Sequence, residues 1–232
     1  MIPSRISDLR EKCRNGFYRK NRTTSVDLEK IRDEVRDMGV YEALSRAFKK
    51  ILDAETPVII KGERLQFTRT TGNKIYTIVP ENNRVIKNAS RVLPIENLAP
   101  DYGNLLAYGM ENRLRLAEQE LTKCSPESEE YEFLSSVVEM LENSISFAER
   151  YAKCAEEMKE FELAALLRKV PRYPAETLNE ALQSVYFYSA MLRLASHIHI
   201  GFGRFDQYII DFYRNDIASG RETPERGVGR TL

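Results

Sequence analysis

A chain of 232 residues, 42% of them hydrophobic, has enough apolar side chains for a substantial core and is not composed like a disordered segment. Its 35 basic and 35 acidic residues cancel, so global charge favours neither nucleic acid nor an anionic membrane as partner. Cys13, Cys124 and Cys154 are widely spaced, with no C-x-x-C pair, and no apolar run approaches the roughly 18 to 20 residues of a membrane span; the expectation is a soluble, cytoplasmic protein with reduced thiols.

Residues 1–39 read as a basic helical arm. Arg5, Arg10, Lys12, Arg14, Arg19, Lys20 and Arg22 face only Asp8 and Glu11, with Phe17 and Tyr18 interleaved. No nucleic-acid-binding motif accompanies the charge, so a solvated or wrapping arm is the better reading. Asp27 to Lys50 then reads as one helix, with Val40, Leu44, Ala47, Phe48, Ile51 and Leu52 in a stripe, ending before Pro57. From Pro57 to Val79 the pattern predicts a small β unit. Its strands are Val58 to Ile60, Leu65 to Thr70 and Ile75 to Val79, separated by turns at Gly62 and Gly72.

After Pro94 the pattern is almost continuously helical. Asp101 stands where an N-cap would serve a helix carrying Leu105, Leu106, Met110, Leu114, Ala117 and Leu121. Tyr131 to Met158 keeps one apolar face for about eight turns, with an acidic opposite face read as solvated. Pro171 and Pro174 punctuate the next junction, and a further helix runs from about Ala175 to Ala195. It leads into Ser196 to Tyr208, where His197, His199 and Gly201 alternate with Ile198, Ile200 and Phe202 as in a strand. Gly201 and Gly203 then make a turn into a helix through Phe205, Tyr208, Ile209 and Phe212.

That strand-turn-helix is the first place to look for chemistry. A dinucleotide loop is excluded because Asp206 stands where the third glycine is needed and would repel a pyrophosphate. His197 and His199 share a strand face but are the only histidines, with no third ligand at diagnostic spacing, so no metal site is assigned. Cys154 lies mid-helix and reads as an inert thiol. Asp206 reads as the cap of the following helix, paired with Arg204.

Two segments carry a resemblance. Val170-Pro171-Arg172-Tyr173-Pro174-Ala175-Glu176-Thr177-Leu178-Asn179-Glu180-Ala181-Leu182-Gln183 and Gly203-Arg204-Phe205-Asp206-Gln207-Tyr208 resemble V-P-x-x-P-A-x-T-F-x-E-A-L-Q and G-R-x-D-Q-Y of glycyl radical enzymes of the pyruvate formate-lyase type. Asp216, Gly220 and Thr223 meet the D-x-x-x-G-x-x-T that follows, and Ala99-Pro100-Asp101-Tyr102 and Arg150-Tyr151-Ala152 resemble the family's P-D-Y and R-Y-A elements.

The resemblance implies a mainly α chain with a small β unit, forming the N-terminal part of a ten-stranded α/β barrel. Residues 40–225 would be that part, and 226–232 a tail unlike the family. It implies radical cleavage of C–C, C–O or C–N bonds, or acyl transfer as in formate acetyltransferases, on a small organic substrate in a homodimeric enzyme of anaerobes. No bound cofactor is expected; an activating enzyme using S-adenosylmethionine and an iron–sulfur cluster would install the glycyl radical. The family's cysteine loop, G-C-x-E, and radical loop, R-V-[SA]-G-[YF], are not in this sequence. The expectation is therefore a truncated or split enzyme, inactive alone and without catalytic residues of its own, or a helical interaction and dimerisation module descended from one. By the resemblance, Asn97, Asp101 and His199 are the substrate-facing candidates, and Gly201, Gly203, Arg204, Asp206 and Gln207 form a structural turn.

Overall fold

The structure, a computed structural model, describes residues 4–16, 26–67, 98–195, 197 and 199–223. Among these there are eight helices: α1 (Ser4–Arg14), α2 (Leu28–Glu34), α3 (Val40–Ala54), α4 (Tyr102–Leu121), α5 (Glu129–Glu157), α6 (Phe161–Lys169), α7 (Leu178–Leu194) and α8 (Phe205–Ala218). The β pairing among the described residues is a single parallel bridge between Leu98 and Ile200.

The helix expected from Asp27 to Lys50 is two helices. Asp27 caps α2 by accepting from the N–H groups of Glu29 and Lys30 at 3.1 Å. The chain then turns, with the N–H of Met38 reaching Val35 O at 3.1 Å, and Gly39 enters α3 in an extended conformation. Glycine is costly inside a helix, and the break lets Ile31 and Val35 both bury beside the α3 stripe.

α5 is about 43 Å long at 1.5 Å per residue and packs against α3, α4 and α6. Ser128 caps its start, donating no charge but accepting from Tyr131 N at 3.1 Å. Its acidic face is only partly solvent's: Glu139 accepts from the Ser45 hydroxyl at 2.5 Å, and Glu149 and Glu156 both pair with Arg168. Lys159, in the left-handed region at φ 63°, ends the run, and α6 turns back along α5. α7 packs on α3, α4 and α8 and buries residues all round its circumference, from Leu178 and Ala181 to Phe187, Ala190 and Leu194, so it is the centre of the core.

The expected strands near Val58 and Leu65 are not formed; the remainder of that β unit, through Val79, lies outside the described residues. Residues 55–67 instead make an irregular strap in which side-chain amides pair backbone groups of Ile60, Glu63 and Gln66. Gln66 takes the N–H of Ile60 at 3.3 Å and donates to Glu63 O at 3.0 Å, while Gln183 on α7 accepts from Gln66 N at 3.0 Å and donates back to Gln66 O at 3.4 Å. The Gln183 amide thus replaces a neighbouring strand. Arg150 donates to the carbonyls of Leu52, at 2.7 Å, and Glu55, closing the C-terminus of α3 where the strap begins. Phe67, 2% exposed, then inserts among Phe147, Tyr151 and Phe187, with centroids 3.9 to 5.9 Å away.

α4 is broken at Gly109, where φ is 71° and ψ 173°. The break receives residues 171–175. Met110 N donates to Pro171 O at 3.0 Å, Glu111 N to Arg172 O at 2.9 Å, and Ala175 N to Leu106 O at 3.0 Å. Groups that the helix leaves unpaired are thereby paired across it. The approach is so close that a Cβ at Gly109 would lie 2.4 Å from Arg172 O.

Candidate functional site

The turn between α7 and α8 is held by backbone on one side. His197 N donates to Leu192 O at 2.9 Å as the chain leaves α7. Leu98, just ahead of α4, donates its N–H to His199 O at 3.2 Å and accepts from Gly201 N at 2.9 Å. Gly203 adopts φ 58°, which a side chain would strain, and the chain enters α8. The expected strand alternation from 197 to 202 is thus one bridge long, because Leu98 is the only described partner it meets.

An aromatic floor supports the turn. Tyr102 stacks near Tyr188, Phe202 and Tyr208 at 6.2, 6.1 and 5.7 Å, and Phe205 contacts Phe202 and Tyr208 at 6.0 and 5.6 Å. The Tyr208 hydroxyl donates to Phe202 O at 2.7 Å. The Ser189 hydroxyl donates its one proton to Val185 O at 2.8 Å, so the 2.8 Å bond between Tyr102 and Ser189 runs from the tyrosine to the serine. Burial raises the pKa of all three tyrosines, Tyr208 up to about 12 with the neighbouring Tyr102 adding to it. Tyr102 and Tyr208 thus act as donors.

The candidate residues divide. Asn97 lies outside the described residues, as do Ser196 and Ile198. Asp101 caps α4, accepting from Asn104 N at 3.0 Å and from the Asn104 side chain, which holds its carboxyl below the usual range. His199 is exposed and His197 half-buried. The Leu98–Ile200 bridge sets the chain leading to Asp101 beside His199. Gly201, Gly203, Arg204, Asp206 and Gln207 are all exposed. Arg204 and Asp206 pair at 3.5 Å as expected, but Asp206 does not cap α8: Arg204 occupies the cap position and Asp206 falls in the first turn, where its charge faces the positive end of the helix. No group of three or more potential metal ligands gathers among the described residues.

Beneath the turn lies a cavity of about 200 Å³ lined by Phe67, Tyr186, Ser189, Arg193, Ile200 and Phe202. Phe67 and Arg193 were not signalled by the sequence pattern. Phe67 arrives through the strap, which no periodicity predicts, and Arg193, the one cation of α7, reaches the cavity only through tertiary packing.

The sequence pattern of the pyruvate formate lyase-like family matches residues 82–228, which contain this whole turn and both helices around it. The chain belongs to that family. Among curated relatives it is 30% identical over 146 residues to an isethionate sulfite-lyase of Nitratidesulfovibrio vulgaris, an alignment covering 55% of this chain and 18% of the relative. It is 28% identical over 145 residues to the (2S)-3-sulfopropanediol dehydratase of Klebsiella oxytoca, covering 56% and 18%. The crystal structure of a glycyl radical enzyme from Archaeoglobus fulgidus superposes with a TM-score of 0.72 at 19% identity, a likeness of fold covering 90% of this chain and 37% of that one. The aligned part of this pyruvate formate lyase-like chain thus spans about a fifth of its curated relatives and about a third of the solved enzyme.

The family motifs have visible structural employment in it. Thr177 accepts from Glu180 N at 3.3 Å, and Glu180 accepts in return from Thr177 N at 3.3 Å and Glu176 N at 2.7 Å, a reciprocal cap on α7. Asp216 adds a third acceptor at the same helix start, taking Leu178 N at 2.9 Å while paired with Arg221 at 2.9 Å. Among the described residues, no helix is long and apolar enough to cross a membrane.

Proposed function

We propose that this chain supplies the N-terminal portion of a glycyl radical enzyme acting on a small organic substrate, and that the α7–α8 turn forms one wall of its substrate chamber. Asn97, Asp101 and His199 are the substrate-facing candidates, with Arg204 and Asp206 steadying the turn. The observation that carries the reading is the family match over residues 82–228, laid on a turn whose outer face is polar, exposed and backed by rigid aromatics. Asn97, unlike a histidine, transfers no proton, which disfavours a dehydration that needs a base at that position.

The radical chemistry itself comes from outside these residues. Cys13, Cys124 and Cys154 each follow a lysine, so none stands in a G-C-x-E loop, and Gly227-Val228-Gly229-Arg230 is not the radical loop. The 232-residue chain alone therefore carries no glycyl radical and no turnover. Anaerobic incubation with S-adenosylmethionine and an iron–sulfur activating enzyme, read by electron paramagnetic resonance, tests this. The expected result is no glycyl signal. A glycyl doublet on this chain overturns the reading.

A further inference from the structure

We infer that α8 is a strut whose two ends, Tyr208 and Asp216, set the position of the turn at residues 201–204 against α7, so that both are positioning residues for the wall proposed above. Tyr208, Phe212 and Asp216 recur every fourth residue and share one face of α8. At one end of that face the Tyr208 hydroxyl holds the carbonyl of Phe202 at 2.7 Å. At the other, the Asp216 carboxylate, in a residue 3% exposed, accepts from Leu178 N and Arg221 Nε, both at 2.9 Å.

Leu178 is the first residue of α7, and the turn leaves from the last. The two helices thus form an antiparallel hairpin closed at one end by the turn and at the other by a buried carboxylate. Sliding or rotating α8 along α7 breaks charge-assisted bonds to a carboxylate that is itself buried. Tyr208 passes that register to the Phe202 carbonyl. From this side the other ties are the Phe202–Phe205 ring contact at 6.0 Å and the Arg204–Asp206 pair, which is exposed on both partners and adds only a weak restraint, while the turn's two glycines are conformationally permissive.

Hydrogen exchange on the 232-residue chain separates this role from simple helix capping. Leu178 N–H reports the latch, Gly201 N–H, bonded to Leu98 O, reports the turn, and Ala152 in α5 reports the core. Asp216→Asn should speed exchange at both Leu178 and Gly201, the latter on the order of tenfold, with Ala152 unchanged. Tyr208→Phe should speed Gly201 alone. Where Asp216→Asn yields no folded protein, Arg221→Ala, which removes the other partner from an exposed side chain, carries the same expectation. Acceleration at Leu178 without Gly201 reduces Asp216 to a cap and overturns the inference, as does uniform acceleration that includes Ala152. No substrate enters the measurement, so its failure and the failure of the substrate-wall reading are distinguishable.

Discussion

Gly109→Ala is the substitution for which the structure gives the largest effect from the smallest change. The residue sits at φ 71° and ψ 173°, a region open essentially to glycine alone, and an added Cβ would stand 2.4 Å from Arg172 O and 2.7 Å from the backbone of Tyr173. A contact that short with main chain forces residues 171–175 away from α4. The backbone strain costs about 2 kcal/mol and the loss of two of the three hydrogen bonds that Met110, Glu111 and Ala175 make across the break costs about 1 kcal/mol each, against a gain of about 0.7 kcal/mol from the stiffer unfolded chain. The net expectation is a loss of about 3 kcal/mol, or about 6 to 12 °C in melting temperature for a chain of this size. Thermal and urea unfolding followed by far-ultraviolet circular dichroism measures it. Gly103→Ala is the internal control: the same helix offers its Cβ nothing closer than Asp101 Oδ1 at 3.6 Å, and its backbone is not at positive φ. It should be neutral or slightly stabilising. If Gly109→Ala melts with Gly103→Ala, the docking of the proline-containing segment into α4 does not hold the fold as argued.

Gln183→Leu leaves the buried N–H of Gln66 without its acceptor and should cost about 1 to 3 kcal/mol in urea unfolding, with faster amide exchange at Gln66. Arg150→Met, which keeps the aliphatic stem but removes the donors to Leu52 O and Glu55 O, should cost about 2 kcal/mol and loosen the same strap. Alkaline titration should show a tyrosine class ionising late, because burial lifts Tyr208 from 10.0 to about 12. A phenol whose folded pKa is raised contributes stability that is present below pH 10 and lost as pH rises towards 12, so wild type should lose stability across that window more steeply than Tyr208→Phe; equal slopes refute the assignment. Thr177→Ala should lower stability by about 1 kcal/mol through loss of the α7 cap.

The long apolar stripes were legible because their periodicity is a direct consequence of packing: α5 and α7 fall within a few residues of the expected spans, and Asp101 caps α4 from the position its side chain suggests. What was not legible depends on partners far away in sequence. The alternation near Val58 and Leu65 has the period of a strand, yet Gln66 and Gln183 pair across 117 positions and turn the segment into a strap. The break at Gly109 is filled by the segment at 171–175, more than sixty positions away, which no local pattern around the glycine announces. Asp206 looked like a cap because it is acidic and near a helix start, but the helix begins one residue before it. The site divides in the same way: the turn and its glycines were visible from local pattern, whereas Phe67 and the hydroxyl pair of Tyr102 and Ser189 reach it only through tertiary packing.

The residues that make the family recognisable here are mostly spent on backbone hydrogen bonds. Asp101, Thr177 and Glu180 cap helix starts, Arg150 closes a helix end, Gln183 substitutes for a strand, and Asp216 joins the ends of α7 and α8. Such roles tolerate little substitution, because a replacement that cannot accept or donate leaves a backbone group unpaired whatever the substrate is. A match carried by them therefore reports a shared scaffold, and it does so equally for relatives named for sulfite-lyase and for dehydratase activities. Among the described residues, the side chains of the exposed His199 and of Arg193 at the cavity are not engaged in this way. Under the proposed reading, changes at Thr177, Glu180, Arg150, Gln183 and Asp216 should lower the melting temperature, and changes at His199 and Arg193 should leave it unmoved.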